Sequence, residues 1–228
     1  MTTTDAFSSE ARTRLSEYLF TPGRYIPAGF GRRESACSLG AINLALRGEL
    51  TGEVPKCMSL VVGYWISIVQ GAMPSSLRNS ERWKRALIEA AGTGREHEDE
   101  RLALVMTWMW ETVLPTFQPT ADAHGFGAEW RAMCEERTLE SAFLAERAAT
   151  LTGNAAIRST GSAAAGIHSA RAVSAANLAQ RAILYPRRSF APRTYASTTR
   201  SVRTDAWPRI DPAGLLERLA KPLGGEQT

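Results

Sequence analysis

The sequence predicts an all-α protein: a multi-helix bundle with a buried central helix, then an Ala-rich helical segment, a basic extended tether and a short C-terminal helix. Three observations predict it. Apolar residues recur at helical spacing wherever a period can be read, and no run of alternating β-branched residues is bounded by hairpin turns. The run from Leu102 to Leu114 is broken only by Thr107, Glu111 and Thr112, and a helix apolar nearly all round is buried on most sides. From Arg147 to Thr204 the chain carries nine arginines, no lysine and no Asp or Glu across 58 residues. That stretch is +9, whereas the other 170 residues hold 18 basic against 23 acidic groups, a balance of −5.

Each element follows from local signals. A first amphipathic helix, residues 6 to 20, places Phe7, Ala11, Leu15 and Leu19 near one face and stops at Thr21-Pro22-Gly23. Residues 21 to 35 hold two prolines and three glycines and read as a loop pinned by Tyr25, Ile26 and Phe30. Ser35 is the expected N-cap of a second helix running to Arg47, with Leu39, Ile42 and Leu46 on its apolar face and Gly48 at its end. A third, residues 56 to 72, sets Leu60, Val61, Tyr64, Trp65, Ile68 and Val69 beside a seam of small residues, Ser59, Gly63 and Ser67. That seam predicts close packing on a neighbour.

Asn79 or Ser80 caps a short helix bearing Trp83 and Leu87. The charged head Arg95 to Arg101 opens the central helix, its acids matched to the positive end of the helix dipole. Pro115 and Pro119 end or loosen that helix, His124 to Gly127 form a turn, and residues 128 to 150 form a further helix with Trp130, Met133, Leu139, Phe143 and Leu144 as core contacts. Asp211-Pro212 reads as a helix start, with Leu215, Leu216 and Leu219 on the face that docks. The expected organisation is a helical body over residues 1–150, an Ala-rich segment over 151–184, a tether over 185–204, and a docking helix and tail over 205–228.

The acid-free stretch has two parts. Residues 155 to 184 are Ala-rich; Arg158, Arg171 and Arg181 do not share a helical face, while Ala163, Ala170 and Asn177 align at seven-residue intervals. Close packing on another helix, within the chain or in a homo-oligomer, is the expectation. Residues 185 to 204 interleave Tyr185, Phe190 and Tyr195 with Arg187, Arg188, Arg193, Arg200 and Arg203. Cations for phosphates and flat rings for bases are the ingredients of single-stranded nucleic acid binding.

Several classes are excluded by spacing. The residues three before His97, His124 and His168 are Gly94, Ala121 and Ala165, so no Glu-x-x-His pair of a carboxylate-bridged metal bundle exists. His97-Glu98 lacks the second histidine of a zinc-protease helix, and Cys37, Cys57 and Cys134 form no Cys-x-x-Cys pair, so neither metal nor cofactor is expected. Three widely spaced cysteines suit free thiols in a reducing compartment, and MTTTDAFSSEARTRL lacks the basic head and apolar run of an export signal; a cytoplasmic protein is expected. Neither apolar run, Met58 to Met73 or Leu102 to Leu114, reaches the roughly 20 residues of a membrane span.

Cys37, near a helix start and close to Arg32 and Arg33, is the one candidate nucleophile, because a helix dipole and nearby cations stabilise a thiolate. The leading functional expectation is a non-enzymatic protein-protein interaction or binding protein that acts through its Ala-rich and basic C-terminal region. The alternatives are a nucleic-acid-binding protein using the tether and a cysteine-dependent enzyme using Cys37.

Overall fold

A computed structural model describes residues 7–25, 36–151 and 207–221. These residues are helical with no strand among them; a single bridge joins Tyr25 to Ala36. They include α1 (Ser9–Phe20), α2 (Ser38–Arg47), α3 (Leu60–Ala72), α4 (Ser75–Arg78), α5 (Glu81–Ala90), α6 (Glu98–Trp108), α7 (Gln118–Ala123), α8 (Gly127–Glu136), α9 (Leu139–Leu151), α10 (Trp207–Ile210) and α11 (Pro212–Ala220). No helix among the described residues is long and apolar enough to cross a membrane. The chain divides into two compact units, one comprising residues 1–102 and 211–228 and the other residues 103–210.

In the first unit α1 packs on α2 and α5, α2 on α3, and α11 on α5 and α3. Leu15, Leu19, Ile42, Ile66, Trp83 and Leu87 are sealed from solvent between them. The helix ends follow their sequence signals closely. Ser8 and Ser80 accept the N–H groups of Ala11 and Trp83, and Gly48 closes α2 in the left-handed conformation at φ 72°. The cap of α2 differs from expectation: Cys37 occupies it, with no side-chain cap bond, and Ser35 lies outside the described residues.

Asn43, buried within α2, donates to the carbonyls of Leu39, Thr51 and Glu53, which straps the following loop to the helix. The small-residue seam of α3 divides into three uses. Ser59 caps the helix, a Cβ at Gly63 would stand 2.5 Å from Val54 of the preceding loop, and Ser67 faces solvent.

The expected central helix is built in two pieces. Over α6 burial is partial, with Ala103 and Thr107 exposed, and it becomes continuous only from Trp108 to Trp110 and again at Val113 and Leu114. Residues Met109–Val113 form a π-helical turn, and Leu114 donates five residues back to Met109. Pro115 has no N–H to donate and its ring crowds the preceding carbonyls, so the helix widens before it and continues as a 3-10 turn, Leu114–Phe117. The Leu114 carbonyl also accepts the Trp130 indole N–H at 3.0 Å. Phe117 and Phe126 meet the Trp130 ring edge-on at 6.0 and 6.1 Å, which fixes α8 against this corner.

The helix expected over 128 to 150 is in fact two. Arg137 ends α8 at φ 53°, and α9 starts behind a reciprocal pair in which the Thr138 hydroxyl accepts the Ser141 N–H and the Ser141 hydroxyl accepts the Thr138 N–H.

Candidate functional site

Cys37 stands at the start of α2 in the first unit and is 8% exposed. Its neighbour Ser38 bonds the Tyr25 hydroxyl at 2.9 Å, and that hydroxyl accepts the Trp83 indole N–H at 3.1 Å. Burial pushes the Tyr25 phenol up to about 12, against the opposing pull of these bonds, so it stays protonated. The arrangement is a satisfied, buried polar cluster around a thiol that makes no hydrogen bond to a described residue. Both described histidines are exposed and engaged locally, His97 with Glu100 and His124 with the Thr120 carbonyl. No group of three or more potential metal ligands occurs among the described residues.

A helix N-terminus is a natural anion site, but that of α3 is already filled. The Glu98 carboxylate accepts the N–H groups of Leu60 and Val61 at 2.7 and 3.1 Å and the Ser59 hydroxyl at 2.8 Å. Three residues on, Arg101 is 2% exposed, and its guanidinium donates to the carbonyls of Thr93, Glu96 and Leu219. A buried cation is thus held by carbonyl dipoles, among them one from the last turn of α11, where cations are favoured. Outside, Arg82 of α5 grips Asp211 and Glu217 of α11 with bonds of 2.8 to 3.2 Å. This contact holds the Glu217 carboxyl below its ordinary range.

The second unit carries an open groove lined by Trp110, Glu111, Gln118, Arg131, Cys134 and Arg137. Glu111, the lone acid of the apolar run, is half exposed and pairs with Arg137 at 3.1 Å. Burial raises the Cys134 thiol to about 11, so it stays neutral near pH 7 and is a poor nucleophile.

The feature that the sequence misassigned is the facing of α9. Phe143 and Leu144, expected in the core, are 52% and 49% exposed, and Leu151 is 77% exposed. Ala142, Ala145 and Ala149 are fully buried instead, with Ser141 beside them, where α9 packs on α8. At 100° per residue Phe143, Arg147, Leu151 and Leu144 fall within an arc of about 100°, opposite the alanine face. The reason is the break at Arg137: a separate helix chooses its own face, and the small side chains let it approach α8 closely.

Arg187, Arg188, Arg193, Arg200, Arg203, Tyr185, Phe190 and Tyr195 all lie outside the described residues, as do the Ala-rich segment 155–184 and the tether 185–204. α9 ends one residue before that region begins. Comparison of the chain with family models, curated proteins and solved structures finds no match.

Proposed function

We propose that this is a non-enzymatic binding protein, cytoplasmic, that engages a macromolecular partner through its C-terminal region, from the outer face of α9 into the acid-free stretch. The observation that carries this reading is the reversed facing of α9, which turns Phe143, Leu144 and Leu151 outward immediately before a segment rich in arginine. Large apolar anchors beside arginines are the residue types that dominate binding energy at protein interfaces. Three free cysteines support the reducing compartment. The buried surroundings of Cys37 and the raised thiol of Cys134 favour binding over thiol catalysis.

The test is affinity capture with the full-length chain, scored for a stoichiometric companion. Replacing Arg187, Arg188 and Arg193 with alanine is expected to reduce that companion about tenfold, the equivalent of about 1.4 kcal/mol. Undiminished capture by this variant would remove the arginines from the reading. A nucleic-acid partner is the second reading, favoured by the alternation of arginine with Tyr185, Phe190 and Tyr195. It predicts retention on single-stranded nucleic acid that falls steeply between low and physiological salt. Salt-insensitive or absent retention sinks it.

A further inference from the structure

Three local irregularities of the second unit converge on the open groove between the π-helical turn and α8. The first is the turn itself, Met109–Val113, which supplies Trp110 and Glu111 to one wall. The second is Arg137 on the other wall, which ends α8 at φ 53°, in the left-handed region where a side chain is disfavoured and glycine is at ease. The third is Trp110, 4% exposed, whose indole N–H has no hydrogen-bond partner among the described residues, whereas those of Trp108 and Trp130 donate to carbonyls. Inserted turns, strained backbone and unsatisfied buried donors are each uncommon, and each concentrates at functional sites.

We infer that this groove binds a small zwitterion with an apolar side chain, an α-amino acid. Its volume of about 370 Å³ lies within the range of roughly 300–1,000 Å³ that small-molecule sites occupy. Arg131 and Glu135 stand on one face of α8 at a spacing of four, with Cys134 between them in sequence, and Arg137 follows just past the helix end.

Charge selects the ligand class. Arg131 and Arg137 line the groove together with Glu111 and Glu135, so a ligand of one sign meets repulsion as well as attraction. A molecule carrying both a carboxylate and an ammonium group finds a complement for each. Glu111 and Arg137 pair at 3.1 Å but are half exposed, and a contact of that kind is weak enough to be exchanged for a ligand's own charges. The guanidinium then takes the carboxylate in its fork, and Glu111 takes the ammonium. Trp110, Pro115 and the neutral Cys134 thiol supply the apolar part of the lining. The site involves no residue of α9, so its test is independent of partner capture.

Isothermal titration calorimetry of the full-length chain with L-leucine and with L-phenylalanine tests this. Saturable binding of at least one of them is expected, with a dissociation constant of about 1 mM or tighter. The N-acetyl and amide forms of that amino acid lack the ammonium and the carboxylate respectively, and each should bind at least about tenfold more weakly. Arg137→Gly separates a binding role from a structural one. Glycine suits φ 53°, so the thermal midpoint of this variant should match or exceed the parent's, while amino-acid binding falls at least about tenfold. Glu111→Gln, checked for intact helical content by circular dichroism, should weaken binding about fivefold and gives a second reading at the opposite wall. Absence of binding by both amino acids, equal binding of the capped forms, or unchanged binding by the two variants would overturn the inference.

Discussion

Helices α11 and α9 are built from similar leucines and alanines and face opposite ways. α11 turns Leu215, Leu216 and Leu219 inward against α5, sealed at 1% exposure or less, while Arg82 and Arg101 hold it by its side chains and its last-turn backbone. α9 turns Ala142, Ala145 and Ala149 inward and leaves Phe143, Leu144 and Leu151 uncovered. The first helix has all its large apolar groups satisfied by described residues, so its role is to complete a core. The second keeps its large apolar groups outside. Facing, not composition, separates the two helices here.

Substitutions on the two helices separate their roles. Leu216→Ala should cost about 2–5 kcal/mol in denaturant unfolding, because a fully buried leucine is lost from the α11 contact and a cavity remains. A cost near zero would mean that α11 is not a core helix. Arg101→Met should follow at about 2–3 kcal/mol, since it leaves the carbonyls of Thr93, Glu96 and Leu219 without their donor.

Ala145→Leu should cost about 1–3 kcal/mol by overpacking the α8–α9 contact, although leucine is a good helix former. If it is neutral or stabilising, the inward alanine face is wrong. Arg82→Ala should cost no more than about 1 kcal/mol, because its pairs are half exposed and screened by salt. The sign with pH follows from Glu217, whose folded pKa is depressed by Arg82. Its contribution is complete above the ordinary carboxylate pKa of roughly 4.3 and fades as pH falls through the lower folded value. Unfolding curves of the parent and Arg82→Ala proteins should therefore converge in acid, and a constant gap down to low pH would contradict the assignment.

Much of this was legible in the residues. Ser80, Gly48, Pro115 and Asp211-Pro212 mark helix boundaries through local chemistry that acts within a few positions, and each acts at that position in the structure. The break at Arg137 was not legible, since a left-handed arginine carries none of the glycine or asparagine signal that such a turn usually shows. Missing that break put Phe143 and Leu144 on the wrong face; the Thr138-to-Ser141 pairing was the one available sign. The burial of Arg101 was equally hidden, because a cation within the charged start of a helix reads as solvated until the end of α11, more than a hundred residues away, supplies its carbonyl. The arginines and rings from Tyr185 to Arg203 lie outside the described residues, so the proposal for them stands on the sequence.

The proposed binding function makes the outer face of α9 a contact surface. It is tested most directly by comparing the stoichiometric companion captured by the full-length chain with that captured by its Phe143→Asp/Leu144→Asp variant, both checked for intact helical content by circular dichroism. At least about a tenfold loss is expected in the variant, or about 1.4 kcal/mol of binding. Equal capture by the two proteins would contradict it.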